Sequence, residues 1–594
     1  MLQLVALLNS SDRSCQKHKL KHIGQIGDKL KHIGHVSERP MRTLISVVAV
    51  ILITATLVPA QISTTTVDKI ESEKWRADLR FMAEAMPKYH KNLFHSMTRD
   101  QFNTAIQDLD RRIPGLARHQ IIVEMARIVA LVGDGHTNIA PTRDPKIAFH
   151  TLPIKLYFFD DGLFIRAATR EHADLIGASV VQIGNAPAAQ AFDAVKRLIG
   201  RDNEMDSKFF APLLITMPEV LHAVGLITDP NEATFLVEKN GRQQAVKLKP
   251  VGPVQLLPAD TDLSWVPQAG WVDARDESQK PTPLWLSDPQ NKFWFKYLPN
   301  EQALYVQLNQ IGNKDDETME AFSNRLLDAV NANPVARLVL DLRLNRGGNG
   351  EFNRPILRAL IKANKVDQKG KLFVITGRST WSAAQFLVNN LEDYTEAIFV
   401  GEPTGGKRNS YGDSRRITLP NSGLTVRVST LWWQEDERDL RQWRAPELAA
   451  DLTFNDYKNN NDPALTTALQ YTLQKSLREL LTDALASNQK SSVAETFKHW
   501  RTDPLNKYVN GEAQVNRLGY ELLGRKQLDQ ALEIFKLNSA QYPESSNSFD
   551  SLGDAYVARG DTTEAIKSYE RALALDPTNA SARESLEKIR TAKP

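Results

Sequence analysis

The sequence predicts an α/β multidomain protein, and three patterns lead to that expectation. From about residue 70 to 132, apolar residues recur three and four apart, the period of amphipathic helices. From 283 to 475 the short apolar runs ALYVQLN, ARLVLDL, KLFVITG and AIFVG alternate with helical stretches such as ETMEAFSNRLLDAV, the mark of an α/β core. Near the C-terminus a helical unit recurs at a 34-residue interval. With 594 residues the chain is also too long for one hydrophobic core.

Composition narrows the function. The chain is 42% hydrophobic and 24% charged, which is ordinary globular composition. Its 74 basic and 71 acidic residues leave a formal charge of +3, so no nucleic-acid partner is expected. The one cysteine, Cys15, offers neither a disulfide framework nor a Cys-based zinc site.

Met41 opens MRTLISVVAVILITATLVPAQ, in which a basic residue, an apolar run from Leu44 to Val58 and small Ala60 follow one another. That is the layout of a secretory signal peptide at 41–60, cleaved after Ala60. Residues 1–40, with KLKHIG at Lys19 and again at Lys29, read as a non-native extension. The expected location is therefore periplasmic or extracellular. The alternative is an anchor left uncleaved, the one route to membrane contact, although the run is short for a span of about 20 apolar residues.

WRADLRFMAEAMPKYH, RDQFNTAIQDLDRRI and RHQIIVEMARIVALV supply the helices of an N-terminal domain, 66–140. Residues 148–252 then read as strand, turn, helix and hairpin. Gly177-x-x-Val180-x-x-Ile183 there resembles the entry to the central strand of a PDZ module. The Pro-rich stretch 253–283 reads as a linker or long loop. The core spans 283–475 and a helical tail 476–594. In the tail Leu518-Gly519 and Leu552-Gly553 recur, as do Pro543 and Pro577, Ala531-x3-Phe535 and Ala565-x3-Tyr569. This is the tetratricopeptide pattern, in which each helix pair buries its apolar face on the next.

Four segments carry candidate chemistry: GDGHTNI with His136, LVLDLRLNRGGNG with Gly347 and Gly348, GRSTWSAAQ with Ser382, and GEPTGGK with Lys407. Taken singly each has a structural reading: a buried histidine, a turn, a helix N-cap at Ser382. Together they provide a nucleophile, two candidate bases and glycine-flanked backbone N–H groups for an oxyanion. Gly401-x4-Gly406-Lys407 also approaches a phosphate loop. Arg408 replaces its magnesium-binding Ser/Thr, and the residues after it read as turn and strand rather than helix. No H-E-x-x-H pairing offers a metal site.

Asp341-Leu342-Arg343-Leu344-Asn345-Arg346-Gly347-Gly348, Ser382-Ala383-Ala384-Gln385, and Gly401 to Lys407, 25 residues beyond Ser382, resemble the tail-specific (C-terminal-processing) serine peptidases and their tricorn-core branch. The resemblance runs from about Trp75 to Lys475, and Asp393 falls where that family carries an aspartate. It implies a crotonase-like α/β peptidase core with Ser382 as nucleophile, an oxyanion site from Gly347 or Gly348 with Ala383, and no cofactor. Gln385 departs from the family's glutamate. Two bases remain open: Lys407, as in the Ser-Lys branch, and His136, as in the tricorn branch. An imidazole accepts a proton at neutral pH unaided, whereas a lysine must fall from about 10.4. A supporting acid would come from Glu435, Asp436, Glu437 or Asp439.

The expected function is an exported serine peptidase acting on polypeptides through an acyl-enzyme, with a protein partner for the repeats. The alternative is a non-catalytic binding protein on the same fold.

Overall fold

The computed structural model describes residues 61–591 apart from 276, 277, 279 and 488–491. The expected extension and signal peptide, and Cys15 with them, lie outside the described residues. Among the described residues no helix is long and apolar enough to cross a membrane.

Three helices open the described chain: α1 (Lys69–Tyr89), α2 (Arg99–Arg112) and α3 (Arg118–Ala130). The first two start where a side chain can satisfy a free N–H group of the first turn. Asp68 caps α1 through the Glu71 N–H, and Thr98 with Gln101 forms a capping box on α2. An antiparallel sheet follows, with β1 (Ile154–Phe159), β2 (Gly162–Thr169), β3 (Ser179–Ile183), β4 (Ala233–Lys239) and β5 (Arg242–Leu248) side by side. Helices α4 (Ala188–Lys196) and α5 (Glu204–Ile215) fill the β3–β4 connection. One buried cluster unites Leu79 and Met82 of α1 and Ile121 of α3 with Ile165, Phe235 and Val426.

The stretch expected as a linker or long loop is irregular along most of its length and is packed against the domains beside it. Trp271–Asp273 pairs with β2, and Trp265 is buried against Trp285 and Tyr457. Proline and polar residues break regular elements there. Its tryptophans nevertheless bury enough apolar area to hold an irregular path in place.

The core sheet runs β6 (Phe293–Leu298), β7 (Ala303–Leu308), β8 (Arg337–Asp341), β9 (Leu372–Thr376), β10 (Ile398–Gly401), and then the short β13 (Leu448–Ala449); between the last two the chain forms a hairpin of β11 (Ser410–Thr418) and β12 (Thr425–Trp433). The first pair is antiparallel and the remaining pairs are parallel. Strands β7, β8 and β9 are apolar almost throughout because both sheet faces are covered. Leu338 and Leu340 meet α6 (Met319–Ala332), α7 (Asn353–Lys362) and α8 (Ala383–Tyr394) on one face. Val339, Phe373 and Ile375 face Leu465 and Ala468 on the other.

The tail stacks α9 (Gly511–Gly524), α10 (Leu528–Gln541), α11 (Ser546–Arg559), α12 (Thr562–Leu575) and α13 (Ala580–Thr591). Gly519 and Gly553 sit where a ring of the following helix lies against the backbone. A Cβ on either would lie 2.5 Å from a ring carbon, of Phe535 and Tyr569 respectively. Gly553→Ala is therefore expected to destabilise the tail by about 1–3 kcal/mol through overpacking. Hydrogen exchange across 546–575 should accelerate while hydrolysis by the core is unchanged.

Candidate active site

Loops at the carboxyl ends of parallel strands converge on one cleft, as is general for such sheets. After β8, Arg343 forks onto Asp462 (3.0 and 3.1 Å) and bonds Asp341, so the arginine of the DLR motif is a structural brace. Asn345 then fixes the turn. Its amide donates to the Leu308 carbonyl, its side-chain oxygen accepts the Gly347 N–H (2.9 Å), and its own carbonyl accepts the Trp381 N–H (3.2 Å). Gly347 (φ +112°) must be glycine. A Cβ there would lie 2.8 Å from the Ser382 Cβ and 2.9 Å from the Ala383 nitrogen. The Gly347 N–H is already bonded, whereas those of Gly348 and Ala383 meet no acceptor among the described residues.

After β9, the residues before Ser382 are pinned. Thr380 Oγ1 donates to the Leu342 carbonyl, and Ser379 Oγ donates to Asp262. Ser382 follows at φ +54°, ψ −125°, in backbone space that costs a non-glycine residue on the order of 1–3 kcal/mol. It stands at the N-cap position of α8 but makes no side-chain cap bond, so its hydroxyl is left for other work. A serine at a strained strand-to-helix turn presents its Oγ to a cleft.

That hydroxyl donates to His136 Nε2 at 3.0 Å. The histidine lies in a tight turn after α3 that is organised by Asp134. One carboxylate oxygen accepts the N–H groups of His136 (2.9 Å) and Thr137 (2.8 Å) and the Ser429 hydroxyl (2.7 Å), and the other accepts from His90 Nε2 (2.8 Å). Asn138 pairs with Arg427 of β12, tying the turn to the hairpin. The ring stacks on Trp381 with centroids 3.8 Å apart. Burial pushes its pKa down to about 4. The Asp134 charge and the Tyr411 backbone oppose that shift, while Arg143 and Arg346 add to it. At neutral pH the ring is therefore uncharged and can accept a proton.

Lys407 is placed otherwise. It is half-buried, makes no hydrogen bond to Ser382 and exerts its charge on Asp202. Gly406 packs on Gln385. Gln385 donates to Asn389, and Asn389 donates to Glu435 (2.6 Å). Of the four late acids, Glu435 is the one that lines the cleft; Asp436 pairs with Arg438 and Asp439 with Arg441. Glu437 stays exposed, and Asp393 pairs with Arg408. The cleft, about 790 Å³, is lined by His136, Gly348, Ser382 and Ala383, with Phe386, Leu431 and Trp433 as its apolar wall. Among the described residues no group of three His, Cys, Asp or Glu could hold a metal ion.

Sequence reasoning did not assign Asp134, Asp202 or Trp381. Asp134 stood inside the GDGHT motif as a visible signal. Asp202, before a helix, reads only as a capping residue.

Residues 349–445 match the model of the family described as Peptidase family S41, and residues 553–586 match a TPR repeat. No curated protein matches. Among solved structures, the chain is similar to mature CPAF complexed with lactacystin, at 11% identity over 68% of this chain and 99% of that one, with TM-score 0.47. The photosystem II D1 C-terminal processing protease matches at 14% identity over 64% and 93%, TM-score 0.31. The first TPR domain of human RPAP3 matches at 23% identity over 20% and 88%, TM-score 0.15. The chain thus carries a family S41 peptidase domain together with a tetratricopeptide repeat, and it is a serine peptidase.

Proposed function

We propose that this serine peptidase is exported and hydrolyses polypeptides through an acyl-enzyme on Ser382, with His136 as general base. The observation that carries the reading is the 3.0 Å contact between the Ser382 hydroxyl and an uncharged His136 ring, at a backbone turn held in strain.

In the first step Ser382 Oγ bonds to the scissile carbonyl carbon while His136 Nε2 takes its proton. The carbonyl oxygen becomes an oxyanion facing the N–H groups of Gly348 and Ala383. His136 then gives its proton to the leaving amine, and the C–N bond breaks. Water attacks the ester with its proton going to His136, and Ser382 leaves as its hydroxyl again. Gly347 contributes close backbone approach rather than a donor. Lys407 has no step, and Glu435 acts through Asn389 and Gln385 on the wall of the cleft.

The finer parts of the fold belong to the same reading. A crotonase-like description of the core is supported by its parallel strands β7 to β10. A PDZ-like role for 148–252 is supported by β1, at a sheet edge beside α5, with a cavity of about 400 Å³ between them. A substrate terminus could add there as a strand. The tetratricopeptide helices offer a protein partner a surface. Export is supported by the 41–60 leader pattern.

The pH–rate profile tests the base. Its catalytic form is the neutral one, present above its pKa and lost as pH falls through it. The acid limb of kcat/KM is expected near pH 4. A limb near the ordinary 6.5 would show that the ring is not buried as described.

A further inference from the structure

The Ser–His contact lacks the usual means of holding a catalytic imidazole. Nδ1 of His136 is buried with only the Tyr411 backbone to interact with, and no carboxylate orients the ring directly. A carboxylate acting at one remove can keep the ring aimed at Oγ.

Asp202, buried at the entry to α5, is placed to do so. One of its carboxylate oxygens accepts the N–H of Gly135 (3.1 Å), the residue before His136. The other accepts the indole N–H of Trp381 (2.8 Å), the residue before Ser382. One carboxylate thus grips the residue preceding the base and the residue preceding the nucleophile. The gripped indole is also the ring on which His136 stacks. The junction is tight: a Cβ on Gly135 would lie 2.8 Å from Trp381 and 3.2 Å from Asp202. The neighbouring Asn203 amide donates to the carbonyls of Thr404, Gly406 and Gln442, which anchors this segment to the loop carrying Lys407.

We propose that Asp202 is the positioning residue of the catalytic pair, acting through Trp381 and the Gly135 turn to hold the His136 ring at Ser382. Its effect falls on the geometry of proton transfer and not on substrate binding, because it touches neither the cleft wall nor the oxyanion donors. Misplacing a base by about an ångström can cost a hundredfold in rate. The inference rests on His136 being the base.

The test is a double-mutant cycle on the full chain, read by kcat and KM on a peptide substrate. Asp202→Asn cannot accept from both donors, and Trp381→Phe keeps a ring but loses the indole N–H. Each change is expected to lower kcat about 10- to 100-fold with KM within about twofold. The double variant is expected to lose no more than the worse single one, because the two residues act as a unit. A merely structural role would lower thermal stability and leave kcat per folded enzyme unchanged, which would overturn the inference. So would losses that multiply. Should Asp202→Asn not fold, Trp381→Phe carries the test alone, and wild-type kcat in that variant overturns it. An active His136→Ala would instead overturn the proposed base, so the two failures are distinguishable.

Discussion

Ser382→Ala is expected to remove peptide hydrolysis, with kcat falling at least about a thousandfold while the protein stays folded. The cleft walls and oxyanion donors survive the change, so substrate should still bind and KM or an inhibitor constant should move little. Ser382→Gly should be equally inactive but more stable than wild type. At φ +54° and ψ −125° a glycine releases strain that serine or alanine must bear, worth on the order of 1 kcal/mol. Urea unfolding of the two variants checks this. An alanine variant as stable as the glycine variant would show that the turn is not strained as described. The trade of stability for an exposed, correctly aimed hydroxyl is common at functional sites.

His136→Ala is expected to cost about 10²–10⁴-fold in kcat, the range for loss of a positioned general base. Lys407→Ala should remain within about tenfold of wild type, since no hydrogen bond joins that amine to Ser382. Steady-state kinetics on one peptide separates the two. If the lysine change were the more damaging, the assignment of the base would be reversed. The contrast follows from placement as well as chemistry. The histidine ring lies 3.0 Å from the hydroxyl on the neutral side of its titration, whereas the lysine loop packs Gly406 against Gln385 on α8.

Much of this was legible from local pattern. Continuous apolar runs marked strands covered on both faces, and the 34-residue interval marked stacked helix pairs, because both signals are written in neighbouring residues. The serine and the glycine pair were legible through spacing within a short stretch. What the sequence left open depended on side chains reaching across long separations. Gly347 and Gly348 could not be told apart as donors until Asn345 was seen to occupy the first. The four late acids looked alike until Asn389 was seen to contact Glu435. Asp202 gave no signal, since an aspartate before a helix is adequately explained as a cap, and its partners lie 67 and 179 residues away. For 253–283 proline signalled the irregular backbone of a loop, but the packing of that loop rests on buried Trp265, which the pattern does not show.

The most direct test of the central claim is reaction with a fluorophosphonate at neutral pH, followed by mass spectrometry of the proteolysed protein. One adduct is expected, on the peptide carrying Ser382, formed rapidly in wild type and in Lys407→Ala and slowly in His136→Ala. Folded, hydrolytically active protein that acquires no adduct at Ser382, or acquires it on another residue, would contradict the account.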